Sequence, residues 1–229
     1  MTGTLLNVST VVAGSSAGLL LGRHIPERVR ETVLKGLGLL VLVIGIQMAL
    51  KTTNVLILMG SILVGGALGE GINLQAGLDR IGEALQRRLS TSDTSRFTEG
   101  FVTASLVFCV GPMTILGSIQ DGLTGDYQLL AVKSMLDGVA ALAFAASFGI
   151  GVLFSALTVL VCQGALTLGA GVAEGLLSSA MVTEMTAAGG LMVLGIGVVI
   201  LDISRPRVAN FLPALVIAPL IVTAVARLS

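Results

Sequence analysis

Long apolar runs recur along this chain and are separated by short polar loops. A transmembrane helix needs about 20 predominantly apolar residues to cross the hydrocarbon core of a bilayer. The pattern predicts about eight such spans, near residues 4–21, 34–50, 54–69, 98–120, 128–149, 152–172, 187–203 and 209–226. We therefore expect an all-α transmembrane protein that forms one integral membrane domain over residues 1–229.

One long polar interval, from Glu70 to Arg96, interrupts the series of spans. Within it, leucine and isoleucine recur at the spacing of one helix face, opposite charged residues. The interval predicts an amphipathic helix over about 72–90, which lies at the cytoplasmic membrane surface or packs on the bundle.

Composition supports a membrane protein, because 54% of the residues are hydrophobic and only 11% are charged. Soluble domains carry about 25% charged residues. The formal net charge is zero, so no basic excess points to nucleic acid as a partner, and lipid is the expected surrounding. The sequence contains no nucleophile and base pair, metal-binding cluster or phosphate loop, so we expect no enzyme activity and no cofactor.

Basic residues divide unevenly between the two sides of the predicted spans, which indicates orientation because short basic loops stay cytoplasmic. The side of the membrane that is predicted to face outward carries only Lys51, Arg227 and the span residue Lys133. Both termini are therefore expected outside. The residues on the cytoplasmic side are Arg23, Arg28, Arg30, Lys35, Arg80, Arg87, Arg88, Arg96, Arg205 and Arg207.

Glycine is abundant, with 30 residues, and it recurs every fourth position in two spans. Gly14, Gly18 and Gly22 form one such face, and Gly65 and Gly69 form another. Small residues let membrane helices approach closely, so these faces predict tight helix packing. They also allow a homo-oligomer in which the glycine faces of different subunits meet.

An internal repeat is visible when residues 38–49 are aligned with residues 190–201, because half of the positions are identical. The two segments lie in the second and seventh spans, and an odd offset predicts units of opposite membrane orientation. The predicted repeats cover about 3–70 and 152–226, and spans four and five form a central pair over about 98–149. The identical pairs are Gly38/Gly190, Leu39/Leu191, Val41/Val193, Leu42/Leu194, Ile44/Ile196 and Gly45/Gly197.

The fourth span carries Gly111 and Pro112 near its middle. Proline removes a backbone donor and clashes with the preceding turn, so we expect a kinked or broken helix there. In a functional interpretation, the break and the side chains of Thr114, Ser118 and Gln120 face a ligand. The alternative is a structural kink whose free backbone groups are satisfied by neighbouring hydroxyl groups, those of Ser105 or Thr103.

The fifth span places Lys133, Ser134 and Asp137 on one helical stripe. A charged side chain in the bilayer costs a few kcal/mol, so such residues usually pair or line a polar path. Lys133 and Asp137 therefore form either a stabilising ion pair or an ion or proton site. Asn7 in the first span and Asp121 at the end of the fourth are further candidate binding residues.

The remaining polar and sulfur residues of the spans have simpler interpretations. Gln163 places an amide in the sixth span, where hydrogen bonding between helices is expected. Cys109 and Cys162 lie far apart in sequence without metal-ligand spacing, and we interpret them as small apolar residues.

Several short motifs resemble those of a bacterial family of multi-pass membrane proteins, domain of unknown function 554, whose members are often called YdfK-like or YqgA-like. The resemblance covers nearly the whole chain, and it implies a bacterial inner (plasma) membrane location and a transporter label without a known substrate. The motifs are Gly3-Thr4-Leu5-Leu6-Asn7, Gly36-Leu37-Gly38-Leu39 with Gly45, the stretch from Phe108 to Gly122, Lys133-Ser134 with Asp137-Gly138, and Asn210-Phe211-Leu212-Pro213-Ala214.

These features together predict a transporter of a small solute or ion, with its site between the fourth and fifth spans. An oligomeric channel is the second hypothesis, because glycine-rich faces favour assembly around a pore. The third is a structural or regulatory membrane protein that uses the amphipathic helix to dock a partner.

Overall fold

Helices make up nearly all of the computed structural model, which describes residues 1–22, 25–89 and 94–228, and no strand occurs among these residues. A short 3-10 helix, Val208–Phe211, precedes the last helix. The α-helices are α1 (Thr2–Gly22), α2 (Glu27–Ala49), α3 (Val55–Ile72), α4 (Leu74–Leu89), α5 (Thr94–Cys109), α6 (Pro112–Leu123), α7 (Gln128–Phe148), α8 (Gly151–Leu168), α9 (Ala170–Leu176), α10 (Ser179–Ile200) and α11 (Ala214–Leu228).

The all-α transmembrane prediction is confirmed by seven helical segments, within the described residues, that are long and apolar enough to cross a membrane. The bent pair of α5 and α6 raises the number to eight if it forms one span. The segments are α1, α2, α3, α7, α8, α10 and the stretch Val208–Arg227.

Two observed helices begin earlier than the predicted spans. Helix α2 starts at Glu27 and α10 at Ser179, whereas the apolar runs start at residues 34 and 187. Their first turns carry polar side chains that hydropathy excludes from a span. In α10 one of these is Glu184, which is buried and fully hydrogen-bonded.

The fourth span is broken where the sequence predicts it. Helix α5 ends at Cys109, α6 begins at Pro112, and their axes differ by 60°. The two helices have 16 and 12 residues, and each alone is shorter than the roughly 20 residues of a crossing. They therefore form a broken span or a re-entrant pair.

The described residues divide into two compact units. The first comprises residues 1–36, 79–109 and 113–175, and the second comprises residues 37–78, 110–112 and 176–229.

In the first unit, α1 lies parallel to α7 and uses the predicted glycine face. A Cβ added at Gly14 would lie 2.1 Å from the Gly138 carbonyl oxygen, and one at Gly18 would lie 2.2 Å from that of Leu142. Only glycine permits this backbone approach. The Gly14, Gly18 and Gly22 face is thus filled within the chain, and the predicted homo-oligomer would need another surface.

Helix α8 packs beside both α1 and α5 in the same unit. The Thr4 and Thr167 hydroxyl groups lie 3.1 Å apart between the antiparallel helices α1 and α8. The Ser105 hydroxyl donates to Thr158 Oγ1 at 3.0 Å between the parallel helices α5 and α8. These contacts fix which turns of α8 face the first and fourth spans.

In the second unit, α2 and α10 pack antiparallel through glycines of the two segments that resemble each other. A Cβ added at any of the four glycines would lie less than 3.0 Å from an atom of the opposite segment. The facing pairs are Gly38 with Leu201, Gly45 with Leu194, Gly190 with Ala49, and Gly197 with Leu42.

Two buried polar groups hold the ends of α3 in the second unit. Glu184 accepts hydrogen bonds from the backbone N–H groups of Thr53 and Asn54, just before α3 begins. Beyond its end, the Asn210 side chain accepts from the Gln75 backbone N–H at 2.7 Å and donates to Glu70. The Glu184 contacts pair backbone N–H groups at the start of α3, and the Asn210 contacts fix the chain just after its end.

Helix α4 occupies the polar interval from which an amphipathic helix was predicted, except that residue 90 lies outside the described residues. Ile81 of the predicted apolar stripe is 52% exposed, whereas Gly82 and Gln86 are buried. A Cβ at Gly82 would lie 3.2 Å from Thr98 of α5. The position of α4 at the membrane surface stays a prediction.

Candidate functional site

The break in the fourth span leaves a carbonyl group that the helix itself does not satisfy. In a continuous helix, the residue at position 112 would donate its N–H to the Phe108 carbonyl, but proline has no N–H. Lys133 Nζ donates to this carbonyl oxygen instead, at 2.8 Å, and Thr114 Oγ1 donates to it at 3.2 Å. An ammonium group from α7 therefore takes the place of the missing backbone donor.

This arrangement differs from the alternative interpretation of the sequence, in which the break is a purely structural kink. That interpretation expects Ser105 or Thr103 to satisfy the break, but the Ser105 hydroxyl donates to Thr158 on α8. A charged group of the neighbouring span binds the free carbonyl, so the Phe108 carbonyl and the charged stripe of α7 form one site.

Lys133 and Asp137 form a buried ion pair one turn apart on α7. The two residues are 6% and 9% exposed. Asp137 is the tenth residue of α7, about 14 Å along the helix from its start at 1.5 Å per residue. Both charges are thus buried within the protein and paired with each other.

Asn7 of α1 extends the ion pair into a hydrogen-bonded network. Its Nδ2 donates to Asp137 Oδ2 and to Gln163 Oε1 of α8, each at 2.9 Å. Asn7 and Gln163 are 0% and 1% exposed. The network thus joins α1, α7 and α8 to the carbonyl at the end of α5.

Several buried polar atoms of the first unit lack a hydrogen-bond partner among the described residues. They are Asn7 Oδ1, Ser15 Oγ, Thr98 Oγ1, Ser118 Oγ and Gln163 Nε2. Leaving a buried polar group unpaired costs about 1–3 kcal/mol. Native proteins rarely tolerate this without a water, an ion or a ligand, and the two amide atoms lie in the network around Asp137.

The structure places the other predicted site residues in different surroundings. Ser134 is buried and donates to the Leu130 carbonyl of its own helix at 2.6 Å, and Ser118 is buried without a partner. Gln120 is exposed, so the structure does not bring its side chain into the cluster. Gly111 and Pro112 both belong to the second unit, and Pro112 begins α6.

Asp121 lies outside the cluster and holds the start of α1. Its Oδ2 accepts from the Gly3 backbone N–H at 3.0 Å and lies 2.9 Å from the Met1 nitrogen. A carboxylate at a helix N-terminus satisfies free N–H groups and interacts favourably with the helix dipole. These contacts explain why the carboxylate is buried.

Two site features were missed in the sequence. Gln163 was assigned only to hydrogen bonding between helices, yet it carries an unpaired buried amide nitrogen next to Asn7. The sequence treats Cys109 and Cys162 as separate apolar residues, whereas the structure brings their thiols close enough to interact, near Lys133. The axial alignment of α5 with α8, which brings the two thiols together, cannot be predicted from hydropathy.

The site offers oxygen atoms, amide groups and one ion pair. No group of three or more His, Cys, Asp or Glu residues that could hold a metal ion occurs in the described ranges. The arrangement can bind a small polar species or move a proton.

Comparisons with known proteins agree with the membrane fold. The chain is 30% identical over 226 residues to the uncharacterized membrane protein YdfK of Bacillus subtilis (strain 168), covering 97% of this chain and 96% of that protein. It is 32% identical over 220 residues to the uncharacterized protein YqgA of Escherichia coli (strain K12), covering 94% of each. No solved structure matches. The model of the family described as "Protein of unknown function (DUF554)" matches residues 2–223, and this membrane protein therefore belongs to the DUF554 family.

Proposed function

We propose that this protein transports a small solute or ion across the bacterial inner membrane, through a site formed by α1, α5, α7 and α8. The observation that carries the proposal is the buried Lys133–Asp137 pair, whose ammonium group also binds the Phe108 carbonyl at the broken span. Charged groups and free backbone carbonyls at membrane depth occur where protein or a water-filled path surrounds them.

A purely structural ion pair accounts for the site less well. Replacing a buried ion pair by apolar residues of similar volume is often neutral or stabilising, so stability alone gives little reason to keep one. The unpaired atoms Asn7 Oδ1 and Gln163 Nε2 next to the pair would be an added cost. A ligand that binds there would offset that cost.

The packing of α2 against α10 supports the predicted inverted repeat. If each residue of a facing pair is replaced by its counterpart in the other segment, Gly38 with Leu201 becomes Gly190 with Ala49. The Gly45 and Leu194 contact becomes that of Gly197 and Leu42 in the same way. An approximate twofold axis between the helices would produce this relation, and such repeats are common in secondary transporters.

Orientation remains part of the proposal, with both termini outside. It rests on the uneven distribution of lysine and arginine between the loops. Alkaline phosphatase fused after the last residue should be active in the periplasm, and a fusion in the loop between α10 and α11 should be inactive. The reverse pattern would contradict the orientation.

The experiment that tests the proposal is a flux screen with the purified full chain in proteoliposomes. We expect saturable uptake of at least one small solute or ion by the wild type, and loss of that uptake in Lys133→Met and in Asp137→Asn. Wild-type uptake in either variant would remove the ion pair from the mechanism. Ohmic single-channel currents in planar bilayers would favour the channel hypothesis instead.

A matched control is available on α2, where Glu31 and Lys35 form an ion pair with the same spacing of four residues. Their side chains are 63% and 61% exposed, in contrast to the pair on α7. Lys35→Met should leave transport unchanged. If it abolishes uptake as Lys133→Met does, the loss reflects a general effect of removing a charge from a helix.

A further inference from the structure

Two amide side chains in the first unit each leave one hydrogen-bonding group without a partner. Asn7 on α1 and Gln163 on α8 are 0% and 1% exposed, and neither Asn7 Oδ1 nor Gln163 Nε2 has a hydrogen-bond partner among the described residues. The two side chains contact each other, because Asn7 Nδ2 donates to Gln163 Oε1 at 2.9 Å. Together they therefore offer one free acceptor and one free donor at the same level of the bundle.

Asp137 determines which end of each amide stays free. Its carboxylate pairs with Lys133 and accepts hydrogen bonds only, so the Asn7 atom that contacts it is the nitrogen. The Gln163 atom that accepts from this nitrogen is then the oxygen. Turning Asn7 over would place its oxygen against the carboxylate, and turning Gln163 over would place two nitrogen donors against each other. Rotation of the amides therefore cannot supply the missing partners.

Ser118 Oγ on α6 is a third buried polar atom without a partner in the described chain. Ser118 is 0% exposed and lies one turn after Thr114, whose hydroxyl binds the free carbonyl at the end of α5. One turn after Ser118, a Cβ added at Gly122 would lie 2.2 Å from the Thr167 carbonyl oxygen of α8. Gln163 lies one turn before Thr167 on α8. The Ser118 hydroxyl, which can donate and accept, is thus held between the carbonyl of α5 and the turn of α8 next to Gln163.

The charges of the site are already balanced. Lys133 and Asp137 pair with each other. Asp121, the other buried charged residue in the described part of this unit, is engaged at the start of α1. A bound ion would add an uncompensated charge, which is costly within a bilayer. An uncharged ligand would add none, so the free groups of the site favour an uncharged polar species.

We propose that the site binds a small uncharged solute through a group that both donates and accepts hydrogen bonds, a hydroxyl or a primary amide. The solute donates to Asn7 Oδ1 and accepts from Gln163 Nε2, and Ser118 binds a further polar atom of it. The Lys133 and Asp137 pair keeps its charges and acts through Asn7, whose amide it orients. This inference rests on the proposed transport function and names the class of its substrate.

Two pairs of probes test the inference on the purified full chain in mixed micelles. Acetamide is compared with N,N-dimethylacetamide, and ethylene glycol with 1,2-dimethoxyethane, because methylation removes the N–H or O–H donors and keeps the oxygen acceptors. A ligand that binds the folded state raises the fraction of sodium dodecyl sulfate at the midpoint of unfolding. We expect this shift with acetamide, ethylene glycol or both, and the responding pair identifies an amide or a hydroxyl as the bound group.

The methylated analogue of a responding probe should bind about tenfold more weakly or worse. It has no donor for Asn7 Oδ1, and a site that hydrogen-bonds a ligand N–H or O–H discriminates strongly against an analogue without it. This comparison uses the wild-type protein, so it does not depend on the folding of any variant.

Gln163→Met is the decisive variant, because methionine nearly preserves the length of the side chain and has no N–H donor. It should fold, as far-UV circular dichroism will show, and lose the shift. Ser15→Ala is the matched control. Ser15 is also 0% exposed with an unpaired hydroxyl, but it lies eight residues after Asn7 on α1, about 12 Å along the helix. Ser15→Ala should keep the full shift.

Three results would overturn the inference: equal shifts with a probe and its methylated analogue, a full shift in folded Gln163→Met, or no shift with either donor probe. Saturable uptake of an ion by wild-type proteoliposomes, without a shift by either donor probe, would overturn it and leave the proposed transport function intact. A donor-dependent shift without uptake of that probe would support the binding site and count against the proposed transport function.

Discussion

Replacing Lys133 by methionine removes the charge of the buried ion pair and nearly preserves the volume of the side chain. In the variant, Asp137 keeps only the Asn7 amide as a described hydrogen-bond donor, and the Phe108 carbonyl keeps only Thr114. Asp137→Asn creates the converse defect, because the Lys133 ammonium then lacks its counter-charge. The double variant removes both charges together.

Burial sets the expected size of these effects. Removing one partner of a buried ion pair costs about 3–5 kcal/mol, because the other charge remains buried and uncompensated. Replacing both partners is often neutral. We therefore expect each single variant to lose about 3–5 kcal/mol of unfolding free energy, and the double variant to recover most of the loss, with a coupling energy of about 3 kcal/mol or more.

The assay is unfolding of the full chain in mixed micelles with increasing sodium dodecyl sulfate, followed by far-UV circular dichroism. Circular dichroism is preferable to intrinsic fluorescence because the chain has no tryptophan and one tyrosine. The same comparison of two single variants with the double variant, made on the exposed Glu31 and Lys35 pair, should give no resolvable coupling energy. If the losses of unfolding free energy in Lys133→Met and Asp137→Asn simply add in the double variant, the two side chains do not stabilise each other. That result would refute the buried ion pair.

Three other changes test separate parts of the account. Gly14→Ala should destabilise the protein by about 1–3 kcal/mol, because its Cβ would meet the Gly138 carbonyl oxygen at 2.1 Å. Gly36→Ala is the control, since nothing lies within 4 Å of a Cβ there. Pro112→Ala supplies the missing N–H, so it should allow α5 and α6 to join and should reduce transport while leaving stability unchanged or higher. Glu184→Gln should cost about 1–3 kcal/mol, because it weakens the hydrogen bonds before α3.

The same unfolding assay checks the stability changes, and the proteoliposome assay checks Pro112→Ala. Equal stability of Gly14→Ala and Gly36→Ala would contradict the close packing of α1 on α7. Full transport by Pro112→Ala would show that the break is dispensable. An unchanged unfolding curve for Glu184→Gln would mean that its carboxylate does not hold the start of α3.

Features that depend on neighbours along one helix could be predicted from the sequence. Apolar runs located the spans, and proline located the break at residues 110–111. The spacing of four residues brought Lys133 and Asp137 together, and the same spacing gave the face that contains Gly14. In each case, the geometry of a single helix determines which side chains share a face.

Features that depend on the register between helices could not be predicted in this way. Nothing local relates Asn7 to Gln163, Cys109 to Cys162 or Lys133 to the Phe108 carbonyl. These contacts require particular axial shifts of α1, α5, α7 and α8, and a shift of one turn would exchange each partner for another. Side-chain packing determines those shifts, and hydropathy carries no record of them.

Transport by the double variant Lys133→Met/Asp137→Asn tests the central claim most directly, because that variant should recover most of the stability that each single variant loses. Its initial rate of uptake is to be measured in proteoliposomes beside the wild type, for a solute or ion that the wild type transports. The account predicts a folded protein whose uptake equals that of vesicles without protein. Uptake at the wild-type rate would contradict it, because the buried pair would then serve the fold alone.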